Sequence, residues 1–349
     1  MMAEQNGNLQ QNSALRNWSC LVTGANGFLG INLVNVLVEQ RWKVRAGHRP
    51  TSNISFIENL PIERILGDIT IPSDMEKWVK DIDVVFHVAG DTGYWKRDKG
   101  QQWMTNVEGT KNVARACVKA GVKKLVYTST IDVLGHSENN RLLTEENGQF
   151  NFVGWDYYYG ESKKAAIDWL RDFCSQEALE LIVIYPGFML GPFDHTLKLG
   201  TVFFDLKARK LPGYIPGGGS FCSVEEVAKA HVNAALLAGD GADYICAGTT
   251  YTNITHKALW QKIEHSLNIL PMQRTLPRKL FVAYAYWEEF LARFTNTPPQ
   301  VNPGMARYLT SHQYADSSKA IADLGYQVPT IEQMIERTLS WYRKNGYDL

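Results

Sequence analysis

Residues 20–30 read Cys20-Leu21-Val22-Thr23-Gly24-Ala25-Asn26-Gly27-Phe28-Leu29-Gly30, an apolar run and then a loop with glycine at every third position. An amphipathic stretch over 31–39 follows directly. Strand, tight turn and helix, in that order, are what a dinucleotide-binding loop requires. Glycine lets the backbone turn sharply and approach a pyrophosphate, whose charge is stabilised at the helix N-terminus. The spacing departs from the commoner Gly-x-Gly-x-x-Gly, and an ordinary turn is the bland alternative; the flanking strand and helix favour the nucleotide. A second run, 42–47, ends at His48-Arg49. An acidic residue near this strand end would accept from the ribose hydroxyls of NAD. None stands there; Arg49 does, with Thr51 and Ser52 behind it. A guanidinium engages a 2′-phosphate that a carboxylate would repel, so NADPH is expected ahead of NADH, with NAD as the second choice.

Outward from the loop, strand-like runs recur at 20–23, 43–46, 63–66, 84–88, 125–128 and 181–185, with helical patterns between several, notably 102–120 and 162–176. The alternation predicts an α/β fold, a doubly wound parallel sheet with helices on both faces, over residues 17–190. Ligands of such sheets bind beyond the carboxyl ends of the strands, where Thr23, Ala89 and Thr130 all fall. After Pro186 the pattern changes. Helices near 201–209 and 224–237, a strand at 244–247 and an aromatic helix at 279–294 follow. Residues 191–349 are expected to form mainly a smaller cap, with returns to the main sheet. Residues 1–16 are polar, lack the apolar core of a signal peptide and are expected to be a disordered tail.

Tyr159 and Lys163 stand four apart in Tyr159-Gly160-Glu161-Ser162-Lys163. On a helix such positions share one face. A free tyrosine has a pKa of about 10, and a cation held nearby moves it toward working pH. The spacing alone arises by chance in many helices. With the glycine loop upstream and Ser129-Thr130 in between, it predicts an acid–base site.

Seven motifs in order resemble the short-chain dehydrogenase/reductases of the extended branch, from about residue 18 to about residue 343. They are the 23–30 loop, Gly67-Asp68-Ile69, Val85-Phe86-His87-Val88-Ala89-Gly90 and Asn106-Val107-Glu108-Gly109-Thr110. Val126-Tyr127-Thr128-Ser129-Thr130, the Tyr159-to-Lys163 run and Pro186-Gly187-Phe188-Met189-Leu190-Gly191-Pro192 complete them. The likeness points to the dihydroflavonol reductase, 3β-hydroxysteroid dehydrogenase and bacterial aldehyde reductase group. It implies a Rossmann sheet with a C-terminal substrate cap. It also implies cofactor contacts from Gly24, Asn26, Gly27, Phe28, Leu29 and Gly30, from Arg49 and Ser52, and from Asp68 and Ile69 on the adenine side. Val88, Ala89, Gly90, Thr128, Pro186, Gly187 and Met189 would complete the cofactor site. By the same resemblance Tyr159 protonates the developing alkoxide, and Lys163 binds the nicotinamide ribose and lowers the tyrosine pKa. Thr130, preceded by Ser129, positions the carbonyl oxygen. Serine is usual there, so Thr130 is a mild departure and Ser129 stays a candidate. Asn106 reads equally as functional or structural, and His87 as a structural histidine at a strand end.

Further departures bear on substrate. Dehydratases of the family carry Thr-Asp-Glu where this chain has Thr130-Ile131-Asp132, which argues against elimination chemistry. Epimerases carry arginine before the motif proline, where this chain has Tyr185; Lys207, Arg209 and Lys210 read as a solvated face. Aromatics crowd the expected pocket, and Tyr94, Trp95, Trp155 and Phe188, with Thr130, are the substrate contacts expected. They favour an apolar carbonyl compound, or the alcohol in reverse. The expected function is NADPH-dependent reduction of a ketone or aldehyde of an apolar small molecule. A nucleotide-sugar epimerase is the alternative within the fold, and a non-catalytic NADP-binding sensor the alternative outside enzymes; Tyr159 and Lys163 stand against the sensor.

Lys+Arg and Asp+Glu number 36 each, so the formal charge is zero and nucleic acid is an unexpected partner. Five scattered cysteines without metal-ligand spacing predict no metal site and a reducing, cytoplasmic setting. No run reaches the roughly 20 apolar residues of a membrane span. A homodimer through helices 102–120 and 162–176 is expected from the resemblance. The aromatic helix 279–294 is expected to cover the pocket rather than lie on a membrane, because Glu288-Glu289 disfavours an anionic bilayer.

Overall fold

The computed structural model describes residues 18–137, 141–295 and 297–349, so the expected 1–16 tail lies outside the described residues. In chain order its strands are β1 (Ser19–Thr23), β2 (Lys43–His48), β3 (Glu63–Leu66), β4 (Val84–His87), β5 (Lys124–Thr128) and β6 (Glu180–Pro186). They continue with β7 (Phe188–Leu190), β8 (Gly218–Ser223), β9 (Asp243–Cys246), β10 (Asn253–Thr255) and β11 (His312–Gln313). The helices are α1 (Phe28–Glu39), α2 (Pro72–Trp78), α3 (Lys99–Trp103), α4 (Thr110–Ala120), α5 (Tyr158–Cys174) and α6 (Thr201–Lys207). After them come α7 (Val224–Leu237), α8 (His256–Ser266), α9 (Arg278–Thr295), α10 (Pro303–Leu309), α11 (Ser318–Leu324) and α12 (Ile331–Lys344).

Seven strands pair in parallel in the order β3-β2-β1-β4-β5-β6-β9. Strand side chains alternate faces, and here both faces are apolar because both are covered. Cys20, Val22, Val84, Phe86, Ile182 and Ile184 pack under α1, α7 and α11. Leu21, Val85, Leu125, Leu181 and Val183 pack under α2, α4 and α5. The strand order reverses between β1 and β4, and a crevice opens at the carboxyl ends where it does. The expected strand runs are all present.

A second core gathers α6, α8 and α12 around Phe203, Phe221, Trp260, Ile335 and Leu339. Helix α12 starts on a capping box in which Thr330 and Gln333 satisfy each other's backbone N–H. A small sheet of β7, β8, β10 and β11 joins this layer to the main one, while β9 and α7 return to the main sheet.

Three local features differ from expectation. The 102–120 helix is interrupted by a π-helical segment, Met104–Gly109, of a kind frequent at functional sites. Helix α5 starts at Tyr158, so Tyr159 lies in its first turn. The aromatic helix α9 turns Tyr286 to an outer cavity beside Trp155 but leaves most of its aromatic face outside: it buries only Ala285 and Ala292, and Trp287 is 57% and Phe294 73% exposed. Small residues allow the close approach to the body, and the large ones are left outside.

Candidate active site

The glycine loop has the shape its sequence demands. Gly24 adopts φ +65°, and a Cβ there would lie 2.8 Å from the Ala89 Cα. A Cβ on Gly30 would lie 2.1 Å from the Gly24 carbonyl oxygen and 2.9 Å from the Ala25 Cα. Gly27 donates its N–H to Gly24 O at 3.0 Å and is the N-cap of α1, with no side chain capping the helix. The first-turn N–H groups of α1, from Phe28 and Leu29 on, are therefore left for an anion. His195 Nε2 donates to Asn26 O at 2.9 Å and pins the loop.

Arg49, just beyond β2, is exposed and in no ion pair among the described residues; the Ser52 N–H donates to its carbonyl at 3.0 Å. Asp68 Oδ1 accepts from Thr70 N–H (2.9 Å) and its hydroxyl (2.8 Å), which shapes the turn after β3. Ile69 is buried against the π segment, where a Cβ on Gly109 would meet its Cδ1 at 2.7 Å. Ala89 N–H donates to Thr23 Oγ1 (3.1 Å), which donates to His87 Nδ1 (2.7 Å). His87 Nε2–H donates to Thr110 Oγ1 (2.9 Å), whose own proton goes to Asn106 O (2.7 Å). Every hydrogen in this chain has one place to go, so His87 is neutral and structural. Burial, then Lys163, holds its pKa down at about 3. His231 likewise uses Nδ1–H for Val227 O (2.8 Å) and accepts the Thr128 hydroxyl on Nε2 (2.8 Å).

Tyr159 and Lys163 lie on one face of α5, at the ends of β4 and β5. Lys163 Nζ donates to Thr128 O at 2.6 Å and stands 4.5 Å over the Tyr127 ring. Gly90 is close by, where an added Cβ would be 3.9 Å from that nitrogen and 3.4 Å from Asn106 Oδ1. Burial pulls the Lys163 pKa down to about 7, and the Asp132 charge acts against that. Tyr159 moves opposite to expectation: burial and then Asp132 push its phenol up, while a hydrogen bond with the Thr130 side chain opposes the rise. Thr130 Oγ1 also accepts from Asp132 N–H at 3.3 Å. Ser129 donates its N–H to Ile184 O (2.8 Å), and its buried Oγ has no partner among the described residues.

Asp132 is the electrostatic centre that the sequence pattern did not reveal. It is buried, accepts from Tyr157 OH and Tyr308 OH at 2.6 Å each, and those two rings stack at 4.5 Å. Burial raises its pKa and the two phenols restrain the rise. Asn106 braces the neighbouring loop: its Oδ1 accepts from Asp91 N–H (2.7 Å), and its Nδ2 donates to Asp91 O and Ser162 Oγ (2.9 Å each). Ser162 in turn donates to Tyr159 O at 2.8 Å, so the π segment is tied to the helix that carries Tyr159.

The expected substrate residues scatter more than the cofactor set. Phe188 packs on Phe221 and Tyr308, close to Asp132, and Tyr94 O accepts from Asn302 Nδ2 of the α10 start. Trp95 lies under the Arg97 guanidinium at 5.4 Å. Trp155 stacks on His136 at 5.2 Å and lines an outer cavity of about 570 Å³ with Val282, Tyr286 and Arg307. Pro186 ends β6, and a Cβ on Gly187 would lie 2.3 Å from Ser220 O. Met189 in β7 packs against the α1 core. Tyr308 and Asn302 went unseen in the sequence because nothing local marks them.

Residues 20–247 match the NAD dependent epimerase/dehydratase family. The chain belongs to that family, the extended branch of the short-chain dehydrogenase/reductases, and is an NAD(P)-dependent enzyme. It is 29% identical to 3beta-hydroxysteroid-dehydrogenase/decarboxylase isoform 1 of Arabidopsis thaliana, over 92% of this chain and 78% of that one. It is 28% identical to 2-alkyl-3-oxoalkanoate reductase of Shewanella oneidensis, over 90% of this chain and 84% of that one. The crystal structure of gox2253 superimposes with a TM-score of 0.79 at 28% identity, covering 95% of this chain and 99% of the other. No described helix is long and apolar enough to cross a membrane, and no described group of side chains could hold a metal.

Proposed function

We propose that the protein reduces a ketone or aldehyde on an apolar small molecule, using NADPH. The observation that carries this reading is Tyr159 with Thr130 at its phenol and Lys163 one turn on, beyond the strand ends that also present the glycine loop. The cofactor fits this loop, since Cβ atoms at Gly24 and Gly30 would collide with the backbone that makes the tight turn, and no side chain caps α1, so its first N–H groups are left for a pyrophosphate. When bound, NADPH supplies the hydride. Tyr159 gives its proton to the carbonyl oxygen, and Thr130 donates a hydrogen bond to the same atom. Lys163 holds the ribose, and its charge offsets the phenolate left behind. Burial, and then Asp132, gripped by Tyr157 and Tyr308, keep the phenol protonated and so ready to act as an acid. Arg49, exposed just beyond β2, would engage the 2′-phosphate of a bound NADPH.

The similarity to a named dehydrogenase and a named reductase supports oxidoreduction. The epimerase reading is weaker: the position of the epimerase arginine is Tyr185, whose hydroxyl is engaged by Arg171 and Asp243. The test is NADPH and NADH oxidation over aromatic ketones, apolar aldehydes and β-keto compounds. Turnover with a preference for NADPH supports the proposal; equal use of both cofactors removes the role of Arg49, and no oxidation with any compound removes the reductase. Thr130→Ala is expected to lower turnover about a hundredfold, and Ser129→Ala by less than about twofold. The reverse pattern would move the catalytic hydroxyl to Ser129.

A further inference from the structure

We propose that Tyr157 and Tyr308 are positioning residues for the proton transfer: they clamp Asp132 as a buried carboxylate, and its charge holds Lys163 as an ammonium beside the Tyr159 phenol. The inference rests on the roles given above to Tyr159 and Lys163. Each phenol serves one oxygen of the carboxylate, Tyr157 on Oδ2 and Tyr308 on Oδ1, at 2.6 Å. That length is the range of an O–H donor on an ionised oxygen. An ionised carboxylate only accepts, and a proton on either oxygen would displace a phenol proton. The geometry therefore selects the charged form, although Asp132, Tyr157 and Tyr308 are all buried.

Ring packing fixes the two donors. The Tyr157 and Tyr308 rings stack at 4.5 Å and 15°, and Phe152 meets both edge-on. They come from distant parts of the chain: Tyr157 precedes α5 and Tyr308 lies in α10. Asn302 caps α10, its Oδ1 accepting from Met305 N–H at 2.6 Å. A Cβ on Gly304 would lie 2.2 Å from Asp156 O, so glycine there lets α10 settle on the backbone next to Tyr157. The clamp closes where the cap meets the start of α5.

Lys163 depends on that charge. Burial pulls its pKa down to about 7, and Asp132 acts against the fall. Without the Asp132 charge it would drop further, and the ammonium would be lost at lower pH. The Tyr159 phenol, raised by burial and then by Asp132, would fall as well. The other ionisable groups facing the pair do not replace the carboxylate. Burial keeps Tyr127 and His87 neutral, and Asp91 acts on Tyr159 less than Asp132 does.

The experiment is fluorescence titration with NADPH across the neutral and alkaline range, with the pH profile of turnover beside it. Wild-type affinity should fall as Lys163 loses its proton. Asp132→Asn should move the midpoint of that fall to lower pH by about one unit. Tyr157→Phe with Tyr308→Phe should move it as far, although Asp132 is still present, because the stripped carboxyl takes up a proton. Adding Asp132→Asn to that pair should move it no further. The alkaline limb of turnover should shift in the same direction. A clamp that is only structural would lower affinity by one factor at every pH and leave the midpoint in place, which would overturn the proposal. So would a shift in the asparagine variant that the paired phenylalanines do not share. Each phenylalanine removes one oxygen and keeps the stacked rings, so that pair remains readable if Asp132→Asn does not fold. The titration needs no substrate: failure of every carbonyl compound would remove the reductase and leave this test standing.

Discussion

Tyr159→Phe is expected to lower the turnover of a carbonyl substrate about a thousandfold, within the range of a lost general acid. The variant removes one oxygen and leaves the ring packed edge-on against Tyr157, so the fold is kept. NADPH affinity should change by less than about twofold, because the proposed mechanism gives the ribose to Lys163 and not to the phenol. Fluorescence titration and steady-state turnover on the same preparation separate the two effects. Retained turnover would remove the phenol from the chemistry. Lost NADPH binding would instead show that Tyr159 shapes the cofactor site.

Gly30→Ala is expected to weaken NADPH binding more than about a hundredfold and to lower stability by about 1–3 kcal/mol. The added Cβ meets the Gly24 carbonyl oxygen at 2.1 Å and the Ala25 Cα at 2.9 Å. Both are backbone atoms, so no rotamer change relieves the contact; the loop itself must move. Gly24 is held in turn by Ala89 across the sheet, so the displacement reaches the strand end after β4. An alanine variant with unchanged NADPH affinity would show that the loop does not hold the pyrophosphate.

The glycine loop and the strands were legible in the sequence because both are local. A strand covered on two faces must be apolar throughout, and Leu21, Val85 and Val183 on one face match Val22, Phe86 and Ile184 on the other. Tyr159 and Lys163 were legible for the same reason, being one helical turn apart. The environment of Tyr159 was not. The sequence shows the cation at Lys163, but the charge that raises the phenol pKa is Asp132, held by Tyr308 from 176 residues away. Such a contact has no periodicity to betray it. The π segment was also hidden, since one extra residue in a turn leaves the apolar pattern of 102–120 almost intact. For α9 the aromatic face was visible and its direction was not. A 3.6-residue period fits a pocket wall and an outer face equally, and only the close packing of Ala285 and Ala292 decides between them.

The most direct test of the account is a reaction with NADPH deuterated at the transferable C4 position, using the best carbonyl compound of the panel, followed by mass spectrometry of the product. The account predicts an alcohol carrying one deuterium at the former carbonyl carbon, formed in step with NADPH oxidised, and no such product with Tyr159→Phe. A product without the label, or an isomerised substrate with the cofactor left reduced, would contradict it.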